Sequence, residues 1–181
     1  AFPNASRLSV KGGLTSIAPV AGLKNLTYFE LEANKVTDMS PLANLTQLTR
    51  ISLKSEKMGP DLKWMTGLTA LREIEINAGS ALTSFEGFPA LKGDPRVALN
   101  GASPADLSPL KSLGSSKLEL RYCTIQDLSP LASMPNLREL SLYGATVKDF
   151  SPLAKCAKLK QLSYYAVKDA DFSTLAALKQ V

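Results

Sequence analysis

The chain has 181 residues, of which 45% are hydrophobic and 20% charged, a balance that excludes intrinsic disorder and predicts a buried core. No apolar run approaches the roughly 20 residues that a membrane-spanning helix needs, so we expect no membrane insertion. The net charge of +5 permits an acidic partner but identifies none, because a modest excess of basic residues is common on soluble proteins.

An apolar-x-apolar triplet recurs along the chain at intervals of 21 residues (Val10 to Leu31) to 23 residues (Leu53 to Ile76). Alternation with a period of two predicts a short strand whose apolar residues point into a core. Because the unit repeats, stacked units should pair these strands into one parallel sheet in chain order. The triplets are Leu8–Val10, Phe29–Leu31, Ile51–Leu53, Ile74–Ile76, Val97–Leu99, Leu118–Leu120, Leu140–Leu142 and Leu162–Tyr164.

A Ser-Pro-Leu tripeptide follows several of these strands in phase. Serine before proline predicts an N-cap and a proline at the first helical position, where no N–H is needed. We therefore expect short helical turns of the 3₁₀ type on the convex side of an array that curves with its sheet on the concave face. The predicted fold class is an α/β solenoid in which residues 1–181 form a single domain of about eight repeats. The tripeptides are Ser40–Leu42, Ser108–Leu110, Ser129–Leu131 and Ser151–Leu153.

The stretch Leu23–Ala43, with Leu26, Phe29 and Asn34 at its consensus positions, resembles the 22-residue leucine-rich repeat of the bacterial internalins, a repeat class shared with a regulatory subunit of protein phosphatase 1. The resemblance covers nearly the whole chain and implies a leucine-rich repeat solenoid. It also implies a secreted or surface-attached bacterial protein, associated with virulence, that binds a host receptor through the concave face. Residues 178–181 read as the start of a further repeat, as expected of a piece of a longer protein.

Two departures from the repeat pattern are visible. The asparagine after the strand, whose amide satisfies backbone groups in the turn, is retained only as Asn34. Asp94-Pro95 stands where the second repeat has a leucine and its successor, so we expect a local bend or bulge there. The residues that replace the asparagine are Gly79, Ala102, Cys123, Ala145 and Val167.

The sequence contains no histidine, which removes Ser-His and Cys-His nucleophile pairs and the commonest general base at neutral pH. Glycine-rich phosphate loops and paired-cysteine motifs are absent as well. Glu30, Glu32, Glu73 and Glu75 fall on a solvated sheet, where their pKa values should stay ordinary, so two-carboxylate hydrolysis is not expected. We predict no enzymatic activity, no cofactor and no small-molecule substrate.

A row of aspartates precedes the helical turns. One carboxylate per repeat, about 4.8 Å from the next, is too sparse to surround a cation, so we favour hydrogen bonding to the turns over a metal site. Trp64 replaces the helix proline, and we favour partial packing over the core on the convex side; an interaction anchor there is the alternative. The aspartates are Asp38, Asp61, Asp106, Asp127, Asp149 and Asp171.

The two cysteines, Cys123 and Cys156, fall on inward rows of the predicted solenoid, two repeats apart. That separation is on the order of 10 Å along the stack, too far for a disulfide. We therefore expect buried, reduced thiols with no redox or catalytic role.

On the solvent side of the predicted sheet, basic and acidic strands alternate in the first half, as Lys11, Glu32 and Lys54 do. This mixture of positive and negative charges does not support a nucleic-acid groove, which needs one continuous positive stripe. Towards the C-terminus, tyrosine and arginine replace the charge pairs, and both are enriched at interface hot spots. They either bind a protein partner or merely stack and shield the last repeats. The predicted contact residues are Arg121, Tyr122, Tyr143, Tyr165, Tyr28, Glu30, Glu73 and Glu75.

The sequence leaves two functions open. One is a protein-binding module of internalin type, secreted or at the surface of a bacterium. The other is a regulatory or structural adaptor in the cytoplasm. The repeat type favours the first function, and the free cysteines favour the second.

Overall fold

The computed structural model describes residues 4–168, 170–179 and 181. Eight strands pair in parallel and in chain order into one sheet, so the predicted fold class is confirmed. The strands are β1 (Arg7–Lys11), β2 (Tyr28–Glu32), β3 (Arg50–Ser55), β4 (Glu73–Ala78), β5 (Arg96–Asn100), β6 (Lys117–Arg121), β8 (Glu139–Tyr143) and β10 (Gln161–Tyr165). The two-residue strands β7 (Thr124–Ile125) and β9 (Thr146–Val147) form a second, small parallel sheet.

The connections between the strands contain short 3₁₀ helices and, within the described residues, no α-helix. No helix in the described ranges is long and apolar enough to cross a membrane. Between β4 and β5 the described chain has no helix at all, which agrees with the irregularity expected near Asp94-Pro95. There the Asp94 carboxylate accepts hydrogen bonds from the N–H (2.6 Å) and hydroxyl (2.8 Å) of Ser116 in the next repeat. The 3₁₀ helices are Ala18–Gly22, Ser40–Leu42, Lys63–Met65, Ser108–Leu110, Ser129–Ser133, Ser151–Lys155 and Phe172–Ala177.

Aspartate, not the serine of the tripeptide, caps the helices that begin with Ser-Pro-Leu. In each Ser-Pro-Leu turn the serine is already the first helical residue, and the residue before it makes no side-chain cap. The predicted serine N-cap is therefore wrong, because the carboxylate two residues earlier accepts the serine N–H instead. The structural interpretation of the aspartate row is confirmed. The N–H to Oδ1 distances are 2.8 Å at Asp38, 3.1 Å at Asp61, 2.8 Å at Asp106, 2.7 Å at Asp127, 2.7 Å at Asp149 and 2.9 Å at Asp171.

We expect Asp127→Ala to lower the free energy of unfolding at neutral pH by about 1 kcal/mol, a typical value for a side-chain cap. Hydrogen bonds from the side chain and N–H of Ser129 lower the pKa of Asp127 below its ordinary 3.8. A carboxylate whose pKa is lower in the folded than in the unfolded state stabilises the fold at pH values above its unfolded-state pKa. This stabilisation is lost as the pH falls through the folded-state pKa. Urea unfolding at neutral and acidic pH measures it. Asp127→Asn is the control, because it keeps an acceptor oxygen; an equal loss in both variants would contradict the cap.

One continuous core runs under the sheet, as the inward rows predicted. The triplet residues are buried in the second to seventh repeats. Among the described residues the first and last strands of the sheet have a neighbour on one side only, and there Leu8 and Val10 are half-buried and Tyr164 is exposed. Among the described elements each strand pairs only with the strands of adjacent repeats, and each 3₁₀ helix contacts only helices of adjacent repeats. The stability of the array therefore comes from the boundaries between adjacent repeats rather than from contacts between distant repeats.

The chain continues differently after the strand in the early and in the late repeats. In the second repeat the small residue Ala33 points inward directly after β2, whereas the later repeats first insert one residue in the left-handed conformation. Asn34 is therefore exposed, and its predicted place in the inward row is wrong, because Ala33 occupies that place one residue earlier. The alignment of Gly79 with that row is wrong for the same reason, since Ala78 is the buried residue. The inserted residues are Gly101 (φ 79°), Tyr122 (φ 54°), Gly144 (φ 63°) and Ala166 (φ 51°).

The inserted residues form a backbone ladder of their own. The N–H of Gly101 donates to Arg121 O (2.9 Å), that of Tyr122 to Tyr143 O (2.8 Å), and that of Gly144 to Tyr165 O (2.7 Å). Glycine adopts this conformation freely, but for other residues it costs roughly 1–2 kcal/mol. Tyr122 and Ala166 adopt the left-handed conformation at this cost in free energy.

Candidate functional site

The strand register arranges the solvent side of the eight-stranded sheet, called the sheet face below, into three rows that run across the strands. The first row is Arg7, Tyr28, Arg50, Glu73, Arg96, Lys117, Glu139 and Gln161. The middle row is Ser9, Glu30, Ser52, Glu75, Ala98, Glu119, Ser141 and Ser163. The third row is Lys11, Glu32, Lys54, Asn77, Asn100, Arg121, Tyr143 and Tyr165.

Charges in the N-terminal half of the sheet face pair with one another, as predicted. Lys11 Nζ lies 3.2 Å from Glu30 Oε1, and Lys54 Nζ lies 2.8 Å from Glu32 Oε1. Hydrogen bonds from Ser9 and Lys11 lower the pKa of Glu30, and the bond from Lys54 lowers the pKa of Glu32. The expectation of ordinary pKa values is therefore wrong for these two glutamates. Their shifts stabilise the charged form, the opposite of what a proton-donating catalytic acid needs.

The predicted contact residue Tyr28 is held within the face. Its ring lies between two guanidinium groups, 4.5 Å from Arg7 and 5.3 Å from Arg50, and its hydroxyl donates to Glu30 (3.2 Å). Glu73 is also engaged, because its carboxylate lies 3.2 Å from Arg50 Nε. Of the predicted residues in this half, Glu75 is exposed and has no ion pair among the described residues, although it accepts a hydrogen bond from the Asn77 amide (3.4 Å).

At the centre of the face lies a buried carboxylate that the sequence analysis did not single out. The Glu119 side chain is only 5% exposed and pairs with Lys117 (3.8 Å) and with Arg121. It separates two shallow depressions of about 220 and 150 Å³. A signal was available: long cations stand on both sides of Glu119 on its own strand, and the small Ala98 and Ser141 are its neighbours in the middle row.

Three tyrosines meet at the C-terminal end of the third row; Tyr122, Tyr143 and Tyr165 are called the tyrosine cluster below. The rings of Tyr143 and Tyr165 stack at 5.1 Å with 20° between planes, and Tyr122 meets Tyr143 edge-on at 5.3 Å. Their exposed fractions are 61%, 40% and 66% in chain order. A hydrogen bond with Tyr122 raises the pKa of Tyr143. Arg121, which shares the third row with Tyr143 and Tyr165, pairs with Glu119 instead, and the ring beside Tyr143 on this side is that of Tyr122.

The strained backbone at Tyr122 directs this ring over the next repeat. A Cβ atom at Gly144 would lie 2.5 Å from the Tyr122 ring, so the ring rests directly on the glycine backbone. An edge-to-face aromatic pair contributes roughly 0.5–1.5 kcal/mol, which is similar in size to the cost of the left-handed conformation.

No protein-family model matches the chain, and no curated protein matches its sequence. Solved structures do match. An internalin (inlF) from Listeria monocytogenes is 28% identical with a TM-score of 0.72, over 99% of this chain and 53% of that one. An internalin C2 (inlC2) from the same species is 26% identical with a TM-score of 0.53, over 87% and 60% of the two chains. The chain is an internalin-like leucine-rich repeat protein. It spans about half the length of the first of these relatives.

A more distant match shows only that the fold is shared. The leucine-rich repeat ectodomain of the Arabidopsis thaliana receptor kinase GASSHO1/SCHENGEN3, solved in complex with CASPARIAN STRIP INTEGRITY FACTOR 2, is 13% identical with a TM-score of 0.58. The alignment covers 99% of the internalin-like chain and 26% of the receptor chain.

Both cysteines of the internalin-like chain are buried and free, as the inward rows predicted. The Cys123 thiol lies 3.4 Å from the carbonyl oxygens of Leu99 and Arg121. Burial raises the pKa of Cys123 to about 11 and also raises that of Cys156. Thiolates are the reactive form, so neither group is activated.

We expect Cys123 in the native protein to react with a thiol reagent at pH 8 at least about a hundredfold more slowly than in the unfolded chain. A rise in pKa from 9.0 to about 11 lowers the thiolate fraction by that factor, before any effect of access. Timed alkylation followed by peptide mass spectrometry measures both sites, with the urea-unfolded chain as the reference. Rapid native labelling, or a mass that reveals an intramolecular disulfide, would contradict buried thiols.

On the opposite side of the internalin-like chain, Trp64 packs partly buried against the core, as favoured from the sequence. It borders an open cleft of about 440 Å³ whose lining includes Met58, Asp38 and Asp61. The indole Nε1 is buried and has no hydrogen-bond partner in the part of the chain that the structure describes. Among the described residues no cluster of three or more histidine, cysteine, aspartate or glutamate side chains could hold a metal ion.

Proposed function

We propose that the chain is a non-enzymatic binding module that holds a protein partner against its sheet face, with the tyrosine cluster as the main contact. The observation that carries this proposal is the cluster itself: three adjacent tyrosines, 40% to 66% exposed, in contact with one another on neighbouring repeats. By its likeness to the Listeria internalins, we further propose a secreted or surface-attached bacterial protein with a role in virulence.

Tyrosine suits this role because it offers a large apolar area and a polar tip with few rotatable bonds. The other predicted contact residues are less available. Tyr28, Glu30 and Glu73 already interact within the face, so a partner would have to break those contacts to use them. In this proposal Glu75 contacts the partner at the edge of the surface. Arg121 contributes to the surface indirectly, through its ion pair with Glu119.

We expect Tyr143→Ala and Tyr165→Ala each to weaken partner binding about 30-fold, which corresponds to the roughly 2 kcal/mol of a hot-spot residue. The partner is isolated by capture of cell-surface proteins on the immobilised wild-type chain, with an unrelated immobilised protein as the background control. Titration calorimetry then gives the Kd for each variant.

Glu30→Ala is the matched control, because it truncates an exposed-face residue at the other end of the sheet. Circular dichroism should show that all variants keep the fold. If the tyrosine variants bind normally and Glu30→Ala does not, the contact lies on the charged half and the tyrosine assignment is wrong. If all variants bind equally, the sheet face is not the binding surface.

A further inference from the structure

Strand β5, near the middle of the sheet, leaves its outward polar side chains unbonded. Arg96, Ala98 and Asn100 face outward from this strand, one in each row of the sheet face. Neither Arg96 nor Asn100 bonds through its side chain to another described residue. On each of the other seven strands at least one outward side chain is held in an ion pair or a hydrogen bond. The groups of β5 therefore remain available to a partner.

Arg96 carries an exposed guanidinium without a carboxylate beside it in the described chain. Its register partner Glu73 turns to Arg50 instead, at 3.2 Å. Its other neighbour in the first row is a second cation, Lys117, which pairs with Glu139 at 3.6 Å. The charge of Arg96 is therefore not balanced within its row. A planar guanidinium with five N–H donors binds a carboxylate in a paired, charge-assisted geometry.

Arg96 and Ala98 border the depression of about 220 Å³ on the sheet face. Three arginines and three glutamates line it, and two of each already form ion pairs with one another. The two charges that remain are Arg96 and Glu75, and the Asn77 amide donates to the Glu75 carboxylate (3.4 Å). Ala98 is the smallest residue of the middle row, so the floor is low there. The volume is below that of pockets for drug-sized ligands and fits one side chain of a larger partner.

Asn100 adds an independent observation. This residue is only 8% exposed, and its amide has no hydrogen-bond partner in the ranges that the structure describes. Among those residues Trp64 Nε1 is the one polar side-chain atom that is both inaccessible and unpartnered, so the Asn100 amide still reaches the surface of the face. A nearly buried amide without a partner lowers the stability of a fold. A partner group that bonded to it would recover this loss.

We propose that β5 is a second anchor for the protein partner of the sheet face. Arg96 binds an acidic side chain of the partner, which enters the depression over Ala98, and the Asn100 amide bonds to a backbone amide group of the same partner. The acidic occupant follows from the unbalanced charge of Arg96, and the second contact from the unpartnered amide. The two contacts lie about 13 Å apart along the strand. This inference rests on the proposed function and specifies the chemistry of its partner.

The test uses random linear peptides displayed on phage and selected on the immobilised wild-type chain, with an unrelated immobilised protein as the background control. Enriched peptides should contain aspartate or glutamate, and sodium chloride should weaken their binding, because salt screens an exposed ion pair. Each synthesised peptide is compared with an analogue in which asparagine or glutamine replaces the acid. On the wild-type chain the analogue should bind at least about tenfold more weakly. On Arg96→Gln the two peptides should bind within about twofold of each other.

Lys54→Gln is the matched control for Arg96→Gln, because it removes the same charge from the same face but from a lysine already paired with Glu32 (2.8 Å). The preference for the acidic peptide should survive this change. Enriched peptides without an acid would overturn the inference, as would a preference that persists on Arg96→Gln or is lost equally on Lys54→Gln. The absence of any enriched peptide would overturn it as well.

Asn100→Leu tests the second contact by replacing the amide with an apolar group of similar size. It should keep or raise the midpoint of thermal unfolding and weaken the acidic peptides at least about fivefold. Asn100→Ala, which adds no bulk, should cause the same loss of affinity. A purely structural role for Asn100 predicts the reverse, a lower midpoint with unchanged affinity, and that result would overturn the inference.

The captured protein partner separates this inference from the proposed function. Both hold if its binding depends on Tyr143, Tyr165 and Arg96. If it depends on the two tyrosines and not on Arg96, the proposed function stands and this inference fails. If it depends on none of the three, both fail.

Discussion

Phe150→Ala is expected to lower the free energy of unfolding by about 3–5 kcal/mol, the range for removing a buried phenylalanine. The Phe150 ring is fully buried, and it lies 6.0 Å from the ring of Tyr164 and 6.2 Å from that of Phe172. Because repeats are stabilised by their neighbours, the cavity should loosen the last two repeats first. Urea unfolding followed by circular dichroism measures the total loss. Hydrogen exchange should show the earliest loss of protection in β8 and β10.

Phe172→Ala is the matched control for Phe150→Ala, because Phe172 belongs to the same ring cluster but is 50% exposed. Its removal leaves little cavity, so we expect a loss of about 1 kcal/mol or less. Equal losses in the two variants would show that Phe150 does not anchor the C-terminal core.

Gly101→Ala is expected to destabilise the chain by about 2–4 kcal/mol, from two causes that act together. Gly101 has φ 79°, a conformation that costs alanine roughly 1 kcal/mol. In addition, an added Cβ would lie 2.1 Å from the carbonyl oxygen of Ala78, which is backbone and cannot rotate away. The free energy of unfolding in urea gives the size of the effect.

Gly93→Ala separates these two causes. Gly93 has nearly the same φ, 81°, but an added Cβ would meet nothing within 4 Å. We therefore expect only the conformational cost, about 1 kcal/mol. If both glycine variants lose the same amount, the close approach of Gly101 to Ala78 contributes nothing.

Strand positions, parallel order and the inward residues of the strand triplets in the second to seventh repeats could be predicted from the sequence. Period-two alternation is a property of strand geometry, and a repeat near 22 residues places each triplet beside the next. Four of the described 3₁₀ helices followed from the Ser-Pro pairs, and the aspartate row was correctly expected to bond to the turns, but the serine was wrongly assigned as the N-cap. Serine and aspartate are both good capping residues, and only the structure shows that Asp38 rather than Ser40 bonds to the turn.

The tyrosine row could be predicted from register alone, whereas two features of the candidate site could not. Tyr122 requires a left-handed backbone, which tyrosine itself disfavours, so no residue preference signals it. The second repeat lacks this inserted residue, so its inward position falls on Ala33 rather than on Asn34. The burial of Glu119 depends on the long side chains of Lys117 and Arg121 folding towards it, a side-chain arrangement that strand spacing does not specify.

The restriction of contacts to adjacent repeats also has a mechanical consequence. Under tension applied to its two ends the array would lose its repeats one after another, and each repeat that detached would release about 22 residues, roughly 70–75 Å of extended chain. A partner bound across Tyr122, Tyr143 and Tyr165 would span the boundaries between β6, β8 and β10. Separating those boundaries would also break contacts with the partner, so the array would resist pulling most where it holds its partner.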